Sequence, residues 1–207
     1  MDLSITGFSL VVIFISLVVS ISLHEMMHAY AGLKLGDTTA LEHGRISLNP
    51  LNHIDPYLTL LLPAITLALF HAPILAAKPV PFDPTRVRYG EYGAALIALA
   101  GPCTNLGLAI IAGLAVRLFG VDSGVLGDVL TTFALVNVGL FVFNMVPIPP
   151  LDGSRVLYAV APETVQAFMA QLEQFGLIII FGLILAVPAF GNLLQNIDAS
   201  VTQFLFG

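Results

Sequence analysis

Charge is what this sequence has least of. Of 207 residues only 10% are Asp, Glu, Lys or Arg, whereas 57% are hydrophobic; a soluble domain carries about 25% charged residues. A chain this poor in charge is built for a bilayer. Basic residues are especially scarce. Seven Lys and Arg stand against thirteen Asp and Glu, a formal net charge of -6, which argues against nucleic acid, because a phosphate backbone requires a basic surface. Cysteine is nearly absent: Cys103 alone excludes an internal disulfide and a cysteine-based metal site, and it is most simply a small packing residue. Internal repeats and low-complexity tracts are missing too.

The N-terminus also lacks the basic region that opens a signal peptide, Asp2 being its only early charge, so its apolar run is expected to be a retained transmembrane helix. Residues 7–33 are long enough to cross with some tilt. Residues 34–56 are polar, with "TALEHGRISL" alternating as a β-strand would. Residues 57–77 are apolar but broken by Pro63, His71 and Pro73, and 77–93 form a Pro-rich connector. Further spans are expected at 94–119, 125–146 and 163–187, with an interfacial tail from Pro188. The chain reads as one membrane domain, 1–207, with a core over about 7–155 and the last span and tail in 160–207. The fold class is an all-α polytopic bundle with a small β element at the membrane edge and a re-entrant segment.

Polar residues stand out against this background. "HEMMH" at 24–28 lies near the end of the first span, where an ionisable residue is expensive and functional by default. On a helix, residues four apart differ by about 40° around the axis, so His24 and His28 share a face and can grip one Zn²⁺. Glu25 lies off that line, placed to take a proton from water rather than to bind the metal. A catalytic zinc needs a third protein ligand and an open position. Asp152 is the leading candidate: Pro147, Pro149 and Pro150 break the preceding helix, and Gly153 permits a sharp turn. Unwound backbone at membrane depth is tolerated only against protein or a wet cavity.

With these residues in view, the sequence resembles the site-2 protease family, the intramembrane zinc metalloproteases. "HEMMH" looks like its first signature and "NMVPIPPLDG" at 144–153 like its second. "GPCTN" at 101–105 resembles a further Gly-Pro…Asn element, and "GRISLNPLNHIDP" with "KPVPFDP" resembles the compact subgroup without PDZ or CBS domains. The resemblance implies one zinc per chain held by His24, His28 and Asp152, with Glu25 as base. It also implies that Asn144 and Asn105 hold substrate backbone or a developing oxyanion, which suits the donors a tetrahedral intermediate needs, although asparagines also bond helix to helix in membrane bundles. Expected partners are the lipid bilayer and a transmembrane protein or peptide substrate, cut for regulation or as a remnant signal peptide; a homo-oligomer stays open. A zinc-binding scaffold or carrier without catalysis is the rival reading.

Arg45 is expected to tie down the extended segment. His43, His53 and Asp55 could gate access or bind a second metal, but loop hydrogen bonding is the simpler expectation; His71 is expected at the interface. Topology adds a constraint. The first span reaches His24 after about 17 residues, about 25 Å, so His24 and Asp152 meet only if the span ending near 146 runs in the same direction. That requires 57–77 to return to the face it left. Lys34, Arg45, Lys78, Arg86, Arg88 and Arg155 then share one side against Arg117, and the positive-inside rule makes the zinc side of the cell membrane cytoplasmic. Stretches 39–48 and 78–82 could pair there and hold an unwound substrate by strand addition.

Overall fold

The computed structural model describes residues 7–53, 55, 78, 80–121 and 123–206. Helix α1 (Gly7–Leu35) buries one narrow stripe: Val12, Ser16, Ser20, His24, His28 and Gly32, each four residues from the last. Its other faces expose Phe8, Leu10, Val11, Phe14 and Ile15, as a bilayer-facing helix should. The helix stops at Gly36, whose φ of 105° is the left-handed conformation glycine supplies. Gly36 N–H then reaches Leu33 O at 3.2 Å and Asp37 N–H reaches Gly32 O at 2.9 Å, closing the free carbonyls as a Schellman motif does.

Helix α2 (Thr39–Glu42) and a 3₁₀ turn (Pro50–Asn52) follow. The long helices α3 (Gly90–Phe119) and α4 (Gly124–Asn144) complete a three-helix core with α1. These three are long and apolar enough to cross a membrane. Ser20 on α1 meets Asn137 on α4, His24 meets Asn105 and His28 meets Ile97 on α3. As the α1 number rises the α3 number falls, so α3 is antiparallel to α1. Asp152, just past the end of α4, lies beside His24 and His28, so α4 runs with α1, the direction the site requires.

No strand occurs among the described residues, which corrects the expected β element and the strand-addition idea built on it. Local side-chain bonds outcompete the alternating pattern, as short polar side chains do. Thr39 N–H and Oγ–H both donate to Asp37 Oδ1, at 2.9 and 2.5 Å, and start a helical turn where a strand was expected. His43 Nδ1–H closes on Thr39 O at 2.8 Å. Among the described residues, Lys78 N–H bonds not the first stretch but His53 O beyond it, at 3.0 Å. Arg45 reinforces it by donating to the Asn52 and Lys78 carbonyls, the tying role expected of it. The re-entrant expectation for 57–77, and His71 with it, falls outside the described residues. The residues on either side do meet, and Arg88 N–H reaches Leu35 O at 2.8 Å, so the end of α1 and the approach to α3 share one end of the bundle.

After α4 come α5 (Asp152–Val160), α6 (Glu163–Glu173), α7 (Gly176–Ala186) and α8 (Pro188–Phe206). The single span expected at 163–187 is two helices bent by 82°. The bend places Gly176 against the second signature, where an added Cβ would lie 2.6 Å from Pro150 Cδ. The expected tail is a helix too, lying back on the bundle: Leu194, Val201, Leu205 and Phe206 of α8 cover Ala109, Val138 and Val142. Burial of that apolar face, at about 25 cal/mol per Å², is what draws it in.

Candidate active site

The buried stripe of α1 delivers His24 and His28 to the interior, and the turn after α4 delivers Asp152. That turn is tight. Gly153 lies so close to the Met145 carbonyl and to Val146 O (2.8 Å from an added Cβ) that only glycine fits. Leu151 N–H bonds Ile148 O and Ser154 N–H bonds Leu151 O, each at 3.0 Å, which leaves Asp152 as the first residue of α5, aimed at α1.

His24 Nε2 lies 3.1 Å and His28 Nε2 3.4 Å from Asp152 Oδ2, and the two Nε2 atoms are 2.9 Å apart. Both ring orientations are held from α3. His24 Nδ1–H donates to Asn105 Oδ1 at 2.6 Å and His28 Nδ1–H to the Ile97 carbonyl at 2.7 Å. With both Nδ1 atoms donating, both Nε2 atoms present lone pairs to each other and to a carboxylate oxygen. Asp152 Oδ2 itself is buried and makes no hydrogen bond. In the neutral rings these three atoms offer only lone pairs, an arrangement that suits a cation. Tetrahedral zinc, with bonds of about 2.0–2.2 Å, would space such atoms about 3.3–3.5 Å apart; the observed separations are close to this. It is the only such three-ligand group among the described residues.

The Gly-Pro…Asn element of α3 has a physical account. Gly101 sits directly over the ligand atoms: a Cβ there would be 2.6 Å from His24 Nε2 and closer still to His28 Nε2. Glycine lets the α3 backbone approach, and one turn later Asn105 grips His24. Asn105 is fully buried, its carbonyl taken by His24 and its amide donated to Asn137 Oδ1 at 2.9 Å. Both ends of the side chain expected to hold a substrate oxygen are thus engaged within the protein, one of them on His24. Asn144 ends α4, half-buried, with Nδ2–H donated to its own helix at Leu140 O, 2.9 Å away.

Glu25 is half-buried, one residue after His24 on α1. His53 is buried and donates Nε2–H to Ser47 O at 2.8 Å. His43 likewise bonds a backbone carbonyl, so each makes the loop hydrogen bond expected of it, while His53 Nδ1 is buried without one. Cys103 is exposed on α3.

The sequence reading missed Asn137. It is fully buried and donates to Ser20 Oγ and to Phe133 O, each at 2.8 Å. A signal existed: Asn137 lies two helical turns before Asn144, and Ser20 one turn before His24.

Residues 120–187 match the model of Peptidase family M50. The chain is 36% identical over 186 residues to "Putative zinc metalloprotease YwhC" of Bacillus subtilis, covering 86% of this chain and 81% of that one. Two proteins with the same printed description are also similar. Rip2 of Mycobacterium tuberculosis is 34% identical over 81% of this chain and 64% of its own length, and MJ0611 of Methanocaldococcus jannaschii is 32% identical over 74% of each. No solved structure matches. Likeness to YwhC at this level, over most of both chains, places the family beyond coincidence: the chain belongs to peptidase family M50, the site-2 proteases, as a multi-pass zinc metalloprotease of the membrane.

Proposed function

We propose that this protease hydrolyses a peptide bond within or beside a transmembrane segment of another membrane protein, with its zinc on His24, His28 and Asp152 and with Glu25 as the base. The observation that carries the reading is the convergence of three ligand-type atoms, one of them a carboxylate oxygen with no other partner, beside a glutamate in the helix that carries the two histidines. Zinc, when bound there, supplies the Lewis acidity that polarises a carbonyl and acidifies water. The protein does the rest. Asn105 and the Ile97 carbonyl hold the two imidazoles with Nε2 inward. Glu25 takes the proton of the attacking water and returns it to the leaving amine as the C–N bond breaks. Asn144, by exchanging its bond to Leu140 for one to the substrate, offers an amide donor to the oxygen that gains charge.

The zinc end of the bundle gathers Lys34, Arg45, Arg86 and Arg88, whereas Arg117 is at the far end of α3. This asymmetry supports a cytoplasmic zinc side. Glu25 favours catalysis over a scaffold or carrier, since metal binding alone needs no base.

The test is zinc content and cleavage by purified protein, natural and substituted, acting on a reporter with one transmembrane segment in lipid vesicles. About one zinc per chain is expected, lost in His24→Ala and Asp152→Ala and kept in Glu25→Gln, with cleavage lost in all three. Firm zinc retention by Asp152→Ala would remove the ligand set. Cleavage by Glu25→Gln at the natural rate would remove the base.

A further inference from the structure

From His24 a chain of side-chain hydrogen bonds runs away from the metal position and ends on a backbone carbonyl of α4. Its members are His24, Asn105, Asn137 and Ser20, and the last three are fully buried. The links measure 2.6 Å (His24 Nδ1 to Asn105 Oδ1), 2.9 Å (Asn105 Nδ2 to Asn137 Oδ1) and 2.8 Å (Asn137 Nδ2 to Ser20 Oγ and to Phe133 O).

The terminus gives the chain a polarity. A peptide carbonyl can only accept. The end of Asn137 that faces Phe133 O must therefore be its NH₂, and the end that faces Asn105 must be its oxygen. An oxygen there requires the NH₂ of Asn105, so Asn105 turns its own oxygen to His24. That oxygen requires N–H at Nδ1, which in the neutral ring leaves Nε2 bare. Turning Asn137 over would set like against like at Phe133 and at Asn105 together, and turning Asn105 over would set oxygen against oxygen at Asn137, in an interior where an unpaired polar group is costly.

This polarity matters because His24 has a competing arrangement. Asp152 Oδ2 lies 3.1 Å from Nε2, near enough to accept a proton placed there. A histidine with its hydrogen on Nε2 would close onto the aspartate, and two ligands would be spent on each other. Ser20 cannot decide the matter, since a hydroxyl both donates and accepts; the Phe133 carbonyl can.

We propose that Asn137 is a positioning residue for the metal: held by the Phe133 carbonyl, it orients Asn105, and through Asn105 it keeps His24 in the tautomer whose Nε2 is free to bind. The inference rests on His24 being a ligand. It assigns a role in the first span's chemistry to a residue of the α4 helix that touches neither metal nor substrate.

The experiment measures metal affinity, by titrating metal-stripped full-length protein in detergent with Zn²⁺ against a competing chelator. Co²⁺ absorption serves as a second readout independent of cleavage. Loss of an outer partner of a metal-bound histidine costs about 10–100-fold in affinity. Asn105→Ala is expected within that range, and Asn137→Ala toward its lower end, because Asn105 is then free to present either end. Ser20→Ala is expected to bind as the natural protein does. The deciding variants separate polarity from packing. A carboxylate at 105 has no wrong end, so Asn105→Asp combined with Asn137→Ala restores most of the affinity lost in Asn137→Ala alone. Asn137→Asp forfeits the donor to Phe133 but still shows Asn105 an oxygen, so it keeps its metal although it is the more disruptive change. Equal affinity in Asn137→Ala and the natural protein would overturn the proposal, as would failure of the double variant to recover, or a loss in Asn137→Asp matching that in Asn137→Ala. Should His24→Ala keep its metal, the ligand assignment fails first, a result distinguishable from all of these.

Discussion

Helices α1 and α3 are fastened together in two places by different chemistry. In the interior the fasteners are neutral, imidazole to amide at His24–Asn105 and imidazole to carbonyl at His28–Ile97, with amide to amide at Asn105–Asn137 tying α3 on to α4. At the rim they are charged. Asp37 accepts from Thr39 and from Asp83 N–H at 2.9 Å, and Arg86 reaches Asp83 at 3.2 Å and Glu42 at 3.3 Å. Depth and local donors explain the difference, the buried Asp37 being satisfied by protein N–H and O–H groups and Glu42 and Arg86 by water as well. An ion taken into the bundle without a partner pays a large solvation cost, whereas an amide needs only its hydrogen bonds, and the rim can use ions where water helps to solvate them. Within the bundle, the carboxylate of Asp152 faces the two histidine Nε2 atoms. Changes inside should therefore alter metal binding and catalysis, and changes at the rim should alter stability.

The sharpest way to break this comparison is Gly101→Ala. In an ordinary helix that change stabilises by about 1 kcal/mol. Here the new methyl would occupy the space of the two Nε2 atoms, so metal affinity is expected to fall by more than about 100-fold, beyond the usual effect of an outer-shell change, with cleavage lost. Chelator competition and circular dichroism together check it. A helical, metal-binding, active alanine variant would mean that α3 does not press on the ligands. Glu25→Gln comes next: zinc retained and the cleavage rate down by about 10²–10⁴-fold, the range general acid–base catalysis contributes.

These two predictions concern the part of the molecule most visible in its sequence. His24, Glu25 and His28 declare themselves through helical spacing alone, and Asp152 through the prolines and glycine that force a turn. Asn105 was visible as a polar residue in an apolar helix, but which atom it would meet depends on how α1, α3 and α4 rotate against one another, and one helix's periodicity carries no information about that. Asn137 was lost for the same reason. The strand expected at 39–48 failed because alternation describes which residues could face a partner strand, whereas Asp37 and Thr39 had already claimed the backbone groups locally. The final span looked continuous because hydropathy ignores the backbone. Gly176 sits against Pro150, and the helix turns there.

At the rim the larger effect belongs to Asp37→Asn. Asp37 is 2% exposed and every group pointing at it is a donor: Thr39 N–H and Oγ–H on one oxygen, Asp83 N–H on the other. An asparagine turns NH₂ toward a donor whichever way it rotates, and the expected loss is about 2 kcal/mol, the scale of hydrogen bonds to a charged group. Burial alone would raise the Asp37 carboxyl's pKa, but the bonds from Thr39 and Asp83, with Arg86 nearby, hold it below the usual value. A depressed pKa stabilises the folded protein above the unfolded carboxyl value of about 3.9, and that contribution is lost as pH falls through the folded value. The natural protein's Tm should thus fall more steeply on acidification below about pH 4 than that of Asp37→Asn. Parallel curves would deny Asp37 this role.

The smallest effect is expected at Glu42, whose comparison with Asp37 sharpens the argument because both are rim carboxylates on the same side of the same junction. Glu42 is 56% exposed in its side chain, and its Oε1 accepts from Thr38 Oγ–H at 2.6 Å and from Arg86 at 3.3 Å. In Glu42→Gln the amide oxygen can still accept from Thr38, and only the ionic part of the contact with Arg86 is given up, in water that screens it. The Tm of Glu42→Gln should therefore lie closer to the natural value than that of Asp37→Asn at every salt concentration, and the remaining difference should vanish as salt is raised. The Asp37→Asn deficit should persist in high salt, since mismatched donors are not a matter of screening. If both deficits faded together with salt, the rim would be held by its charges as a group, and hydrogen-bond matching at Asp37 would not be what joins the end of α1 to the start of α3.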